Sequence, residues 1–509
     1  MVGVTGPGWR ATALGRPWVL VALCVALAVA LRLPFVDRVA YPDEGGLLLV
    51  AEHWHTDGPG LYGRLFVDRP PLLLLFFLAG HALGGLMAVR LMGVAMVAVF
   101  VAAAGRAGWL LADRMGAGWA ALAAAAFVAN PVLGTHEVNA ELIGIPLTMA
   151  GAVVALEAVR RQGGGPRQRA LLVAAGMLLG AAPLVKQNLV DGVAFGLVLL
   201  AGQAWTRTWR VRRAAAALGW LSAGVVLPTL ATGLWALGLG PGGSALWRAV
   251  VDFRFHASAV MAATPSPAVR ERLGQLPVLM LLSGLGVVLL IALWRLRGRL
   301  LREPAVAASA VMLFVAAAGV LLGGNYWSHY LIALLPATVL LVGCAAALPR
   351  PSIPSLRLVI AGALGSVLVA NVVATRPAVT ELADPQISVT AWLSAASLPD
   401  DTGVVTYGSA QILEASGLRP GYPYLWSLPV RTLDPELTLF TRRLEQENRP
   451  VWLIEWMPLD TWSLDQSGRA RAAVEAHYRR VATVCGVPIY LRNGEERILP
   501  ATPTDCGER

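Results

Sequence analysis

The sequence predicts a polytopic α-helical membrane protein that ends in a soluble α/β domain. Of the 509 residues, 56% are hydrophobic and 14% are charged, and the mean hydropathy is +0.62. This is too apolar for a soluble globule of this size. After Thr375-Arg376-Pro377 the apolar runs shorten, and acids and turn residues become more frequent. The chain therefore divides into a transmembrane module, residues 1–375, and a C-terminal α/β domain, residues 376–509.

About eleven apolar runs are long enough to cross a hydrocarbon core of ~30 Å. They lie at roughly 17–34, 86–105, 117–134, 141–157, 170–185, 188–204, 214–238, 276–294, 304–323, 330–348 and 358–375. Six segments together carry eighteen arginines and only three acids: 1–16, 106–116, 157–169, 205–213, 295–303 and 349–357. Because short cytoplasmic loops of membrane proteins are enriched in arginine and lysine, these six segments are predicted to be cytoplasmic. The N-terminus is therefore expected inside, and the C-terminus, after an odd number of spans, outside the plasma membrane.

The first outer loop, residues 35–85, is acidic in a protein whose formal charge is +10. It contains Tyr41-Pro42-Asp43-Glu44-Gly45-Gly46 and ends in a run, residues 70–84, that is too short to span. This run is expected to be a re-entrant or interfacial helix on the outer face. Asp43 and Glu44 at a membrane surface suit proton abstraction from a hydroxyl or binding of a cation. The alternative is that Asp43 only caps a short helix.

Two further charged residues are candidates because of where they lie. Glu141 enters the fourth apolar run, where a charge is costly and therefore a functional candidate; helix capping at Asn139 is the alternative. Lys186 follows the fifth run and is the only lysine beside forty arginines. Lysine binds phosphate as a point charge, whereas a structural pair with Asp191 is the alternative reading.

Aromatic and histidine-containing segments give weaker candidates. The outer loop 239–275 contains Asp252-Phe253-Arg254-Phe255-His256, in which His256 is a candidate substrate contact or part of an exposed anchor. His329 and Tyr330 open the tenth run within an aromatic belt. In the C-terminal domain, strands are expected at 404–407, 451–456 and 487–491 and helices at 386–397, 434–447 and 467–479. Cys485 and Cys506 both lie in this domain, which is expected outside the membrane, and could form a disulfide in an oxidising compartment.

Over roughly residues 15–345 the chain resembles the GT-C glycosyltransferases of the protein O-mannosyltransferase and lipid A aminoarabinose transferase superfamily. The resemblance rests on Tyr41-Pro42-Asp43-Glu44, on Asp68-Arg69-Pro70-Pro71-Leu72, on the acid at the second outer loop, on Lys186 and on His329-Tyr330-Leu331. Such enzymes transfer a sugar, with inversion, from a polyprenyl-phosphate donor to an acceptor on the outer face.

The resemblance implies roles for individual residues. Asp43 corresponds to the catalytic carboxylate, with Glu44 beside it. Arg69 stands where many members have a lysine that meets the lipid phosphate, which keeps the charge and changes its geometry. Glu141 stands where members often have Asp. The predicted function is therefore transfer of a hexose or pentose to an acceptor hydroxyl, with Lys186 as a second phosphate contact.

Other classes of function remain at this stage. A transporter or flippase would also be polytopic, but it predicts acids near the membrane midplane, whereas the acids here cluster at the predicted outer ends. An inactive scaffold that presents its C-terminal domain is a third reading. The basic charge follows insertion topology and gives no support to nucleic-acid binding. The sequence assigns no cofactor, leaves a divalent metal open, and does not identify the donor sugar or the glycan, lipid or protein acceptor.

Overall fold

The computed structural model describes residues 17–54, 60–161, 164–263, 266–348, 353–375, 385–503 and 506. The predicted start of the C-terminal domain at residue 376 lies outside these residues. The first of the six arginine-rich segments that are predicted to be cytoplasmic, 1–16, and part of the last, 349–352, lie outside them as well.

Helices fill most of the first 375 residues. They are α1 (Pro17–Arg32), α2 (Pro42–Glu52), α3 (Pro71–Ala82), α4 (Leu86–Val128), α5 (Ala140–Arg160), α6 (Pro166–Ala181), α7 (Asp191–Trp205), α8 (Val211–Gly238), α9 (Gly243–Trp247), α10 (Phe253–Ala263), α11 (Pro267–Leu282), α12 (Leu285–Leu296), α13 (Pro304–Leu322), α14 (Leu335–Ala346) and α15 (Ile353–Ala374). Proline stands in the first turn of many of them, where its missing N–H costs no hydrogen bond.

Fewer of the described helices are long and apolar enough to cross a membrane than the eleven spans that the sequence predicts. Among the described residues, six helices are long and apolar enough to cross a membrane: Pro17–Phe35, Leu86–Val128, Ala140–Arg160, Val211–Gly238, Pro304–Leu322 and Ser328–Ala346. The pair α11 and α12, bent by 70°, gives a seventh if it forms one span. A helix lies in each of the eleven predicted runs, but the count of eleven and its sidedness are not confirmed. The protein is a multi-pass membrane protein.

The 43 residues of α4 contain a chain reversal that explains part of this difference. Ala112 and Asp113 have non-helical backbone angles. Gly108 and Gly116 lie against each other across the reversal, and a Cβ atom at Gly108 would fall 2.1 Å from the carbonyl oxygen of Gly116. Small residues allow such close approach of helices in a membrane. The two halves of α4 therefore correspond to two predicted runs, 86–105 and 117–134.

The C-terminal residues form a small mixed sheet with helices around it. The elements are α16 (Pro385–Ala396), β1 (Thr402–Val405), α17 (Gln411–Ser416), β2 (Arg419–Pro420), α18 (Ser427–Leu433), α19 (Thr438–Glu445), β3 (Trp452–Ile454), α20 (Arg469–His477), β4 (Tyr478–Val484) and β5 (Val487–Arg492). The strand order is β2-β1-β3-β5-β4. β1 pairs in parallel with β2 and β3, and β5 pairs antiparallel with β3 and β4.

The three strands and three helices predicted here are all present, with shifted ends. The predictions omitted β2, β4, α17 and α18. Strand β4 begins at Tyr478, immediately after α20 ends, so the predicted helix 467–479 ran into it. Cys485 lies in the turn between β4 and β5 and is disulfide-bonded to Cys506, with Cα atoms 5.2 Å apart.

Candidate active site

Asp43 lies at the start of α2, where the C-terminal domain meets the transmembrane module. Trp426 Nε1, from the C-terminal domain, donates a hydrogen bond of 3.1 Å to Asp43 Oδ1. Arg69 Nη2 is 4.0 Å from Asp43 Oδ2, and 35% of the Asp43 side chain is exposed. The helix N-terminus favours a carboxylate at this place. Asp43 thus keeps an accessible oxygen beside a cation.

Two glycines make this contact between the two parts of the chain possible. A Cβ atom on Gly45 would lie 2.5 Å from the Cα atom of Gln411, and one on Gly46 would lie 2.4 Å from Trp426 Cζ2. Any larger residue would therefore push the C-terminal domain away from α2. The Gly45-Gly46 pair that follows the acids in sequence is explained by this close approach.

The neighbouring acid, Glu44, has a different environment. Its carboxylate forms a salt bridge of 2.7 Å with Arg90 of α4, and both side chains are almost fully buried. Glu44 Oε2 also accepts the N–H of Tyr41 at 3.0 Å, and Oε1 accepts the N–H of Val138 at 2.9 Å. Glu44, rather than Asp43, therefore closes the N-terminal turn of α2. These partners give Glu44 a positioning role, whereas its predicted catalytic role stays untested.

Arg90 uses its other donors to shape the chain in front of α2. Its guanidinium donates to the carbonyl oxygens of Phe35 at 3.0 Å and Val39 at 2.7 Å, and also to that of Arg38. A buried arginine of this kind satisfies several backbone acceptors that water cannot reach. One side chain inside an apolar helix thus fixes the segment that leads to Asp43.

Arg69 belongs to a cluster with Asp68 and Arg254. Arg69 Nη1 is 2.9 Å from Asp68 Oδ1, and Arg254 Nη2 from α10 is 2.5 Å from Asp68 Oδ2. Burial raises the pKa of Asp68, but the charges of Arg254 and Arg69 lower it more, so the net shift is downward. For Arg69, burial lowers the pKa, while Asp68 and Asp43 raise it to a net increase. One carboxylate therefore holds two guanidinium groups beside Asp43.

Lys186 and Glu141 form a second buried ion pair in the same region. Lys186 Nζ contacts Glu141 Oε1 and lies 4.1 Å from the centroid of the Tyr330 ring. The His329 and Tyr330 rings are 5.2 Å apart. Tyr330 and Glu141 also interact electrostatically with Arg69, which joins this pair to the Asp43 cluster. The partner of Lys186 is thus Glu141, not Asp191. Asn139 does cap α5, since its Oδ1 accepts a hydrogen bond of 3.0 Å from the N–H of Leu142.

Most of the site residues predicted from the sequence lie close together in the structure, and other residues lie beside them. Asp43, Arg69, Glu141, Lys186, His329 and Tyr330 lie in one region. His256 is exposed on α10, while Arg254, two positions earlier, reaches Asp68. Sequence reasoning did not single out Arg254, Arg90 or Trp426. A signal for Arg90 was present, because an arginine inside an apolar run is costly unless paired.

A third acid, Glu137, lies in the segment between α4 and α5 and is half-buried. Burial, followed by the charges of Glu44 and Asp43, raises its pKa to about 8. Burial and the charges of Arg32 and Arg90 lower the pKa of neighbouring His136 to about 4. Among the described residues, no group of three His, Cys, Asp or Glu side chains could hold a metal ion. Metal dependence therefore stays open.

Solved structures share this architecture. ArnT from Cupriavidus metallidurans bound to undecaprenyl phosphate aligns with a TM-score of 0.62 at 15% identity, covering 98% of this chain and 100% of ArnT. The oligosaccharyltransferase of Archaeoglobus fulgidus in its apo form gives 0.52 at 11% identity, covering 96% and 75%. The archaeal oligosaccharyltransferase AglB from Archaeoglobus fulgidus, in complex with an inhibitory peptide and a dolichol-phosphate, gives a TM-score of 0.50 at 14% identity, covering 96% of this chain and 75% of AglB.

No protein-family model and no curated protein matches the sequence. At these low identities the structural likeness establishes the fold. The fold implied by the GT-C resemblance is therefore confirmed.

Proposed function

We propose that this chain, which has the fold of ArnT, is a membrane glycosyltransferase that uses a polyprenyl-phosphate-linked sugar. It transfers the sugar, with inversion, to an acceptor hydroxyl on the outer face of the plasma membrane. One observation carries the proposal: Asp43 keeps an accessible carboxylate oxygen next to a group of cations, in a fold whose solved example ArnT binds undecaprenyl phosphate.

In the proposed reaction the acceptor oxygen attacks C1 of the donor sugar. The new C–O bond forms as the bond between C1 and the phosphate oxygen breaks, and the polyprenyl phosphate leaves with the electron pair. Asp43 accepts the proton of the acceptor hydroxyl, as a positioned general base does. A single displacement of this kind inverts the configuration at C1.

The leaving phosphate needs cations, because its charge grows as the bond breaks. Arg69 is assigned this role because only 21% of its side chain is exposed and it lies beside Asp43. Lys186 is the second phosphate contact, and Glu141 holds its ammonium in place. Tyr330 and His329 lie against this pair and are assigned to the sugar. Arg254 replaces His256 as the candidate from α10.

A transfer assay in nanodiscs tests the proposal. The purified protein is incubated with a panel of polyprenyl-phosphate sugars, and consumption of each donor and release of polyprenyl phosphate are measured. We expect one donor to be consumed by the wild type and not by Asp43→Asn. Movement of a donor across the bilayer without release of polyprenyl phosphate would identify a transporter or flippase instead.

A further inference from the structure

Helices α6 and α8 pack in parallel, so that their N-terminal ends lie side by side. A Cβ atom at Gly176 of α6 would overlap the carbonyl oxygen of Leu221 of α8, and one at Gly180 would overlap that of Val225. Small residues allow such close approach of membrane helices. Each of these pairs is 45 positions apart, and so are the first residues of the two helices. The two N-terminal ends are therefore at the same level.

This shared end lies far from the candidate active site. Glu141 is in the first turn of α5 and Arg160 in its last, and the 21 residues of α5 span about 30 Å, the thickness of a hydrocarbon core. Directly after α5, the carbonyl oxygen of Arg161 accepts Arg213 Nη2 at 2.8 Å and Gln168 Nε2 at 3.1 Å. Arg213 Nη2 also donates to Gln168 Oε1 at 3.4 Å. The end of α5 is thereby joined to the first turns of α6 and α8.

The side-chain charges at this shared end have the same sign as the helix dipoles. A helix N-terminus carries roughly half a positive elementary charge, which favours acids there. Neither first turn contains an acid. Each contains two arginines instead: Arg167 and Arg169 in α6, and Arg212 and Arg213 in α8. Glu157, in the last turn of α5, already forms an ion pair with Arg106 of α4. Positive charge therefore accumulates at two adjacent helix ends, where an anion would be stabilised.

Two buried guanidinium nitrogens at the shared end lack a hydrogen-bond acceptor. They are the Nε atoms of Arg161 and Arg213, from which no described residue accepts. Within the described part of the chain, Arg213 hydrogen-bonds only through Nη2, and its guanidinium carbon lies 4.1 Å from the centroid of the Trp209 ring. Buried donors normally have an acceptor, and a guanidinium group binds phosphate through paired hydrogen bonds. A phosphate group would supply the missing acceptors.

The surface next to these arginines indicates that the anion belongs to a lipid. Trp220 of α8 is 41% exposed, and the guanidinium carbon of Arg169, which is also exposed, lies 5.8 Å from the centroid of its ring. Further along α8, Val226, Leu227 and Leu230 are exposed as well. Tryptophan and arginine are typical of the level of lipid headgroups. A soluble phosphate would use only the arginines, whereas a phospholipid would also cover the apolar face of α8.

We propose that the arginines of this shared end bind the phosphate of an anionic membrane phospholipid, whose acyl chains lie on the exposed face of α8. Basic pockets between membrane helices bind anionic headgroups in this way. The bound lipid supplies the counter-charge that the two helix ends lack, and it holds the end of α5 against α6 and α8. The proposal does not depend on sugar transfer, because no residue of the candidate active site takes part in it.

Lipid binding to the full-length protein tests the proposal. Purified protein in a neutral detergent is titrated with phosphatidylglycerol, with phosphatidylcholine, whose headgroup has no net charge, and with inorganic phosphate, and binding is followed by native mass spectrometry. We expect phosphatidylglycerol to bind most tightly and to raise Tm, as a ligand of the folded state does. The double variant Arg161→Gln/Arg169→Gln should bind it about tenfold to a hundredfold more weakly, as expected for hydrogen bonds to a charged group. This variant keeps Arg213 and the backbone oxygen that Arg213 binds, so its Tm without lipid should equal that of the wild type.

Arg297→Gln/Arg302→Gln is the matched control. It removes the same charge from two exposed arginines in the connection between α12 and α13, in another segment that is predicted to be cytoplasmic, and its affinity for phosphatidylglycerol should equal that of the wild type. Equal weakening in both double variants would show that binding follows overall charge and would overturn the site. Unchanged binding by Arg161→Gln/Arg169→Gln would overturn it too. So would displacement of phosphatidylglycerol by inorganic phosphate, or equal affinity for phosphatidylcholine.

Discussion

Asp43 and Glu44 are neighbours in sequence and each faces an arginine, yet the two pairs have opposite surroundings. In the closed pair, Glu44 with Arg90, neither side chain is more than 2% exposed, and Glu44 Oε2 is 2.7 Å from Arg90 Nη2. In the open pair, Asp43 with Arg69, the side chains are 35% and 21% exposed, and Asp43 Oδ2 is 4.0 Å from Arg69 Nη2. The comparison shows that Glu44 stabilises the structure, whereas the carboxylate of Asp43 stays accessible to a ligand.

The closed pair also explains how the open one can be held in place. Glu44 and Arg90 together bind the backbone before α2 and the segment before α5. This fixes the first turn of α2, on which Asp43 stands, without occupying the Asp43 carboxylate. A reactive group held by neighbours whose own positions are fixed keeps its geometry while staying accessible to a substrate.

The largest effect is expected from breaking the closed pair. Arg90→Met would leave the Glu44 carboxylate buried without its cation, which costs about 3–5 kcal/mol of the free energy of unfolding. Thermal unfolding in detergent would measure this as a large fall in Tm. The double variant Glu44→Gln/Arg90→Met removes the buried charge as well and should recover part of the loss. A single variant as stable as the wild type would contradict the anchoring role of Arg90.

Next in size is the loss of the general base in the open pair. Asp43→Asn keeps the size of the side chain and its hydrogen bond from Trp426, but it removes the basicity. Sugar transfer should fall by about 10²-fold or more, while donor binding and Tm stay near wild-type values. Asn caps a helix about as well as Asp. Near-normal sugar transfer by folded Asp43→Asn protein would therefore show that Asp43 only stabilises the start of α2 and is not the general base.

A smaller effect is expected at Lys186, where a structural and a functional role must be separated. Lys186→Met should weaken use of the lipid-phosphate donor by about 1.5–3 kcal/mol, the range for a hydrogen bond to a charged group. It also leaves Glu141 buried and unpaired. The double variant Lys186→Met/Glu141→Gln removes that second cost. If donor kinetics return to wild type in the double variant, Lys186 only pairs with Glu141 and does not bind phosphate.

Much of the fold was predictable because a membrane restricts the choices. Long apolar runs must be helices, and a helix lies in each of the eleven predicted runs. The sequence could not settle how many of them cross the membrane. A reversal at Ala112 and Asp113 is hidden in a continuous apolar pattern, and α6 and α7 have only 16 and 15 residues. In the soluble part, β2 was missed because two residues carry no periodic pattern.

The site was predictable in part, for a related reason. Asp43 was selected because acids crowd into the first outer loop, Glu141 because a charge that enters an apolar run is costly, and Lys186 because it is the only lysine beside forty arginines. Trp426 could not be found, since its contact with Asp43 spans 383 positions of sequence. His256 was chosen in place of Arg254 because an alternating Phe-Arg-Phe-His pattern does not show which side of α10 faces the loop.

A modest effect is expected from the contact that joins the C-terminal domain to the open pair. Trp426→Phe removes the hydrogen bond to Asp43 and keeps an aromatic ring. The value of kcat should fall about fivefold, equivalent to about 1 kcal/mol for one hydrogen bond, while KM for the donor is unchanged. An equal rise in KM with unchanged kcat would show that Trp426 shapes donor binding and does not position Asp43.

Glu137 interacts electrostatically with both Glu44 and Asp43 and should make the stability of the protein depend on pH. Its pKa is about 8 in the folded protein against an ordinary value of 4.5, because burial and the charges of Glu44 and Asp43 oppose its ionisation. Between these two pH values the folded state holds a proton that the unfolded chain has released. Stability must therefore fall as pH rises from about 4.5 to about 8 and then level off. Glu137→Gln cannot ionise, so its Tm should fall less over this interval when both proteins are measured from pH 5 to pH 9. Parallel Tm profiles for wild type and Glu137→Gln would mean that Glu137 ionises freely and that the acids near Asp43 do not interact with it.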